Sequence, residues 1–246
     1  MTDAVLNVVL GLLTSAIGAA AGWLLQTLRR RRRTARLQAF YGLPSGSECL
    51  LVVNRHMKSP SQNSVHRDDV SALMELAVLV NSCGARPDIV AHDQVRQGLG
   101  RQAEFCLGGP SSNERTAAHL NWRLPAVRFD GGSSITVGDR EFRMEPATED
   151  SPGDCYALLA RLDPGDGGRP VFVISGLTAI ANHAAVRYLS AHQRELARRA
   201  GPHGTFALVL RVVGPLTYGP DVVELVADVT EAATAPVQAA ATAGTG

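Results

Sequence analysis

Residues 103–114 read Ala103-Glu-Phe-Cys-Leu-Gly-Gly-Pro-Ser-Ser-Asn-Glu114, and this stretch decides the fold class. An apolar strand pattern runs into Gly108-Gly109-Pro110, a turn signal, and then into Ser111-Ser112-Asn113, residue types that cap helices. The periodic segment from Glu114 to Trp122 supplies the helix. A strand passing through a glycine turn straight into a helix opens a βαβ unit, and such units build parallel sheet.

Working outward, the same arrangement recurs at Pro170-Val-Phe-Val-Ile-Ser175-Gly176-Leu-Thr178, followed by a helical pattern continuing to about Arg199. Upstream, Glu48 to Asn54 is a continuous apolar run of the kind buried on both faces of a sheet. A helix is expected from near Ser64, with Asp68 and Asp69 in its first turn, to Gly84. Asp88 to Ala91 reads as another strand. Between the two glycine turns the pattern changes. Ala126 to Asp130, Ser134 to Val137 and Arg140 to Glu145 read as short antiparallel strands, with Gly138-Asp139 as a hairpin turn. Cys155 to Leu162, Gly204 to Val213 and Val222 to Val229 complete the set. The expectation is an α/β protein: a Rossmann-like three-layer domain over residues 48–230, a mostly parallel sheet, and a β-rich insertion at 126–162. Residues 34–47 read as a linker, and the Ala/Thr/Gly-rich stretch 231–246 as a disordered tail.

The head of the chain is of another kind. Val5 to Leu28 is a run of 24 residues without a charge, followed at once by Arg29-Arg30-Arg31-Arg32-Arg33. Roughly 20 apolar residues span a bilayer as a helix. A cleaved secretory signal wants its positive charge before the apolar stretch, where this chain has only Asp3. Residues 1–33 therefore read as a retained transmembrane anchor with a basic stop. The positive-inside rule puts the arginines and the main domain in the cytoplasm, on an inner-membrane protein whose N-terminus lies outside. Gly11, Ser15, Gly18 and Gly22 fall on one face of that helix and include a GxxxG, a candidate seam for a homodimer.

Composition narrows the function. Setting aside Arg29 to Arg33 and Asp3, the +1 of the whole chain becomes −3 for residues 34–246. A slightly acidic body argues against nucleic acid as a partner. The chain has a single lysine, Lys58, and no GxxxxGK[ST], which excludes a P-loop ATPase; Ser175 does not sit in GxSxG, which excludes the hydrolase nucleophile elbow. Cys49, Cys83, Cys106 and Cys155 are far apart, without zinc-site spacing, and suit a reducing compartment. No metal or resident cofactor is indicated.

Candidate site residues come from the expected topology. In open parallel sheets ligands bind beyond the carboxyl ends of the strands. That edge should carry Asn54 and His56 after the first strand, and His92 and Asp93 after the second. Gly108, Gly109, Ser111, Ser112 and Asn113 follow the third, and Gly176 and Thr178 the later one. The two glycine turns open helices, whose N-termini attract phosphate or carboxylate. Their bland reading is as tight turns with Ser112 or Thr178 as N-caps. His92 with Asp93, or His56, are candidate acid–base groups, against the plainer reading of solvated loop histidines. His66, His119 and His183, on helices, read as capping or packing groups. Arg55 and Arg115 flank the edge as candidate phosphate partners, while Glu48 and Glu104 open strands at the opposite end.

With GGPSSN and SGLT placed, the layout resembles the broad class of Rossmann-like nucleotide-sensing or nucleotide-processing domains that bacteria tether to membranes. The resemblance implies a membrane-anchored sensor or effector that binds a nucleotide-like anion and signals to a protein partner or through helix association. The alternatives are a membrane-tethered nucleotide hydrolase or glycosidase using His92 and Asp93 or His56, and a scaffold whose glycine loops are only turns.

Overall fold

Strand residues alternate between two apolar layers, and that alternation builds the molecule. In β1 (Glu48–Val53), Cys49 and Leu51 enter one core while Leu50 and Val52 enter the other. β3 (Ala103–Leu107) does the same with Phe105 and Leu107 against Cys106, and β8 (Val171–Gly176) with Phe172 and Ile174 against Val171 and Val173. Strands apolar on both sides must be covered on both sides.

The computed structural model describes the chain apart from residues 1, 57, 58, 60, 62, 63, 150, 202, 203 and 237–246, and apart from the side chains of residues 1–9 and 12–14. After a long helix α1 (Thr2–Tyr41) and β1 come α2 (Arg67–Ser82), β2 (Arg86–Ala91), β3 and α3 (Glu114–Arg123). A small antiparallel sheet follows, built of β4 (Val127–Asp130), β5 (Ser134–Val137) and β6 (Arg140–Arg143). Then come β7 (Asp154–Leu162), β8, α4 (Ala179–Ala191), α5 (Gln193–Ala200) and β9 (Phe206–Val213). The short α6 (Pro215–Tyr218), β10 (Val223–Asp228) and α7 (Thr230–Thr234) end the fold.

The main sheet has the order β10-β9-β7-β8-β3-β1-β2. β2, β1, β3 and β8 are parallel neighbours, whereas β7, β9 and β10 join by antiparallel pairings. The sheet is thus mixed, not mostly parallel. α2, α4, Leu196 of α5 and the end of α1 cover one face. α3, the small sheet and Ala233 cover the other.

Three further expectations are corrected. β7, placed by sequence in the β-rich insertion, is a central strand of the main sheet; only β4–β6 stand apart. The single helix expected from Thr178 to Arg199 is broken at His192, whose backbone leaves helical geometry (φ −100°, ψ 12°). The bend turns Leu196 into the core, and the His192 ring stacks on Tyr188. Residues 34–41, expected as linker, continue α1 and deliver Phe40 and Tyr41 into the core beside Phe105 and Phe172.

The docking of α1 is specific. Gln38 Nε2 donates to the Cys83 carbonyl and to Ser45 Oγ, and buried Arg161 of β7 donates Nε to the Phe40 carbonyl. Among the described residues no helix is long and apolar enough to cross a membrane; side chains 5–9 and 12–14 of the Val5-to-Leu28 run lie outside that description. Of the expected disordered tail, residues 231–234 instead belong to α7 and bury Ala233 in the core, and residues 237–246 lie outside the described residues. All four cysteines are free and buried.

Candidate functional site

Connectivity creates a switch point at the carboxyl ends of the parallel strands. From β1 the chain passes through α2 to β2 on one side, then crosses back to β3 on the other side of β1. The segments leaving β1 and β3 turn to opposite faces of the sheet, to α2 on one and α3 on the other, and this topology is where open α/β sheets take ligands. Asn54 and the turn Gly108–Gly109 meet at this point. The Arg55 amide donates to the Ser112 carbonyl at 3.1 Å, tying the two segments together.

A buried polar cluster sits beneath them. Asp69, in the first turn of α2, receives Asn54 Nδ2 on Oδ2 at 3.0 Å and Asn182 Nδ2 on Oδ1 at 2.8 Å. Asn182 Oδ1 in turn accepts the Gly176 amide at 2.6 Å. Three residues from three distant segments thereby lock the ends of β1 and β8 to the starts of α2 and α4. Burial pushes the Asp69 carboxyl above its usual range, against the two asparagine hydrogen bonds that favour the ion. Two buried oxygens of the same edge lack a protein hydrogen-bond partner: Asn54 Oδ1 and Ser175 Oγ. A buried polar atom without a partner is costly and rare.

The glycines divide by cause. Gly108 has φ +102°, and a Cβ there would lie 2.6–2.7 Å from the Asn54 side chain. At Gly176 it would lie 2.7 Å from Ala181 Cβ and the Asn182 amide. Both positions need glycine for the protein's own packing. Gly109 is roomier: a Cβ would meet only Ser175 Oγ and the Gly176 carbonyl, each at 3.8 Å. The two glycine turns expected on one edge are therefore adjacent.

Helix starts at this edge are not equivalent. His66 caps α2 by accepting the Asp68 amide, and Asp68 and Asp69 occupy its first turn. Asn113 caps α3 by accepting the Thr116 amide, while its Nδ2 donates to the Leu107 and Val52 carbonyls. Glu114 sits in that first turn, and the Glu114 amide donates to His92 Nδ1 at 3.4 Å. Thr178 caps α4 by accepting the Ala181 amide, with no acidic residue in the first turn. Ser112, offered by the sequence as an alternative cap, instead donates its hydroxyl to the Gly109 carbonyl.

The remaining candidates separate. His92 faces the start of α3, and no ion pair joins it to Asp93 among the described residues. His56 meets the His66 ring edge-on at 5.3 Å. Ser111 is exposed on the turn after β3. Arg115 is withdrawn from any phosphate: it holds buried Glu104 through Nε to Oε1 at 2.8 Å and Nη2 to Oε2 at 2.9 Å. His119 Nε2 and Cys106 Sγ reach the same Oε1, each at 2.9 Å. Burial works to raise the Glu104 carboxyl, but the Arg115 and His119 contacts outweigh it and hold it at about 2. Glu104, Cys106 and His119 are of metal-ligating types and lie together. The guanidinium of Arg115, however, takes both carboxylate oxygens, so the cluster is built as a buried ion pair. His183 pairs with Glu75 at 2.9 Å, so His183 and His119 hold carboxylates while His66 caps a helix.

No protein-family model, curated protein or solved structure matches this chain. The site rests on its own geometry. Sequence reasoning missed Asp69, Ser175 and Asn182 as members. Asp69 looked like a dipole-matching residue of a helix first turn, and Asn182 carries no motif. An asparagine at the fifth position of an expected helix, facing a glycine turn, is the signal that was available.

Proposed function

We propose that this chain is a membrane-anchored cytosolic sensor or effector whose Rossmann-like half, β2-β1-β3-β8, binds a nucleotide-like anionic ligand at its carboxyl edge. The observation that carries the reading is the pair of unpartnered buried oxygens at the glycine turn: Asn54 Oδ1, whose side chain packs against Gly108, and Ser175 Oγ, beside the roomier Gly109. They supply an acceptor and a hydroxyl for a ligand's polar groups, with Ser111 and Ser112 on the adjoining turn. The start of α4, free of acidic side chains in its first turn, is the place for the charged group, with Thr178 and Gly176 beside it. Arg55 at the mouth adds a guanidinium; Arg115 does not.

Binding is favoured over turnover because, among the described residues, no hydroxyl or thiol of this edge is hydrogen-bonded to a histidine. The hydrolase or glycosidase reading would need His92 to leave the α3 amide. Support for the anchor comes from the 24-residue uncharged run and from Leu10, Ile17, Trp23, Leu24, Leu25 and Leu28. These side chains stand exposed on a helix whose far end is fixed in the core. Association through Gly11, Ser15, Gly18 and Gly22 fits a helix with open space beside Gly18 and Gly22.

Thermal unfolding of the full chain in lipid nanodiscs against a panel of nucleotides tests the site. Ligand at a hundred times its Kd adds about 2.7 kcal/mol of stability. Ser175→Ala should reduce that gain while leaving the unliganded midpoint nearly unchanged. A panel in which no nucleotide raises the midpoint leaves the glycine loops as turns and the domain as a scaffold.

A further inference from the structure

A groove of about 870 Å³ opens between α1 and α5, far from the carboxyl edge. One wall carries Arg29, Arg32, Arg33 and Arg36 at helical spacing along α1; the other carries Arg194 and Arg198 of α5; Ala39, Phe40 and Ala197 form an apolar floor. All six arginines are exposed, and none makes an ion pair among the described residues. The neighbouring acid of α5, Glu195, is engaged with Arg199, which also pairs with Asp228. Folding has therefore carried two cations across more than 150 residues of sequence to face four others, with no carboxylate among the described residues lining the groove.

We propose that this groove is a binding site for the phosphate-bearing headgroup of an anionic phospholipid. An arginine rim matches phosphate, and an apolar floor suits the junction of headgroup and acyl chain. The source is set by position along α1. The uncharged run ends at Leu28, and residues 29–36 rise about 10 Å along the helix, close to the depth of one headgroup layer. The arginine run alone would attract any anionic surface; Arg194 and Arg198 turn that attraction into a two-walled site. The inference rests on the anchor reading above.

The test uses the full chain in nanodiscs of phosphatidylcholine alone and of phosphatidylcholine with phosphatidylglycerol, following backbone hydrogen exchange of α5. Incorporation into the neutral discs reports the anchor by itself, and a chain that stays out of them overturns the anchor reading. In the mixed discs α5 exchange should slow relative to the neutral ones, and Arg194→Gln with Arg198→Gln should abolish the difference while leaving incorporation intact. A water-soluble short-chain phosphatidylglycerol, added to the chain in neutral detergent, tests the groove without the bilayer. Its affinity should fall roughly 30-fold in the double variant, the loss expected for two basic residues. Equal α5 protection by inorganic phosphate would assign the groove to a free anion, and unchanged exchange in the mixed discs or unchanged affinity in the variant overturns the proposal.

Discussion

Asn182 donates to Asp69 at 2.8 Å across 113 residues of sequence, and this hydrogen bond joins the helices that frame the carboxyl edge. Each partner is already committed elsewhere: Asp69 to Asn54, Asn182 to the Gly176 amide. The edge is thus set as a unit, and its loops inherit their positions from it.

Asp69→Asn should be milder than Asp69→Ala. The new amide needs an acceptor, and Asn54 can turn its unpartnered Oδ1 toward it. Alanine instead leaves two buried donors without partners, at about 1–3 kcal/mol each. Thermal midpoints of the two variants check the order.

Acid should act on two groups with opposite sign. Glu104, held at about 2, contributes stability that is complete above its ordinary 4.5 and is lost as pH falls toward 2. Asp69, raised by burial, favours the fold most below its ordinary 3.8 and less as pH climbs through its raised value. Glu104→Gln should remove the acid-side loss and, by leaving Arg115 uncompensated, cost about 3–5 kcal/mol at neutral pH. Asp69→Asn should flatten the opposing slope. Unfolding midpoints measured across the acid range distinguish the two.

Gly108→Ala should destabilise by about 1–3 kcal/mol, because it adds a Cβ at φ +102° against Asn54. Gly109→Ala, one residue on, meets only ordinary contacts and should stay within ~0.5 kcal/mol. Equal losses at both positions would show that the Asn54 contact is not what demands glycine.

Arg161→Met should loosen α1 from the body. It leaves the Phe40 carbonyl without the Arg161 donor and removes a guanidinium 5.7 Å from the Phe40 ring. Faster hydrogen exchange over residues 37–41, with β7 and β9 still protected, is the expected signature. Uniform acceleration across the sheet would place the arginine's role in the core at large.

Much of this architecture was legible in sequence because local chemistry dictates it. Apolar runs of five to seven residues mark strands buried on both faces, and the expected bounds of β5 coincide with the observed ones. Thr178 and Asn113 are cap residue types standing directly before helical pattern. What failed was non-local. Apolar content alone does not distinguish parallel from antiparallel pairing, so β7 reads in sequence as part of the insertion. Arg115, on an exposed-looking helix start, gave no sign that Glu104, eleven residues earlier, would claim it. His92 and Asp93 are adjacent in sequence, yet only His92 is drawn to the α3 terminus.

By itself the sequence determined the strand positions, the helix starts at their caps, the glycine turns, and the uncharged run closed by arginines; where helices break or continue was not legible. Periodicity, capping and charge act over a few residues. Tertiary structure alone decided that Asp69 meets Asn54 and Asn182, that Arg115 serves Glu104, and that α5 brings its arginines to α1. Those choices depend on which distant segments the sheet order makes neighbours, and burial then requires the polar groups so gathered to find partners in one another.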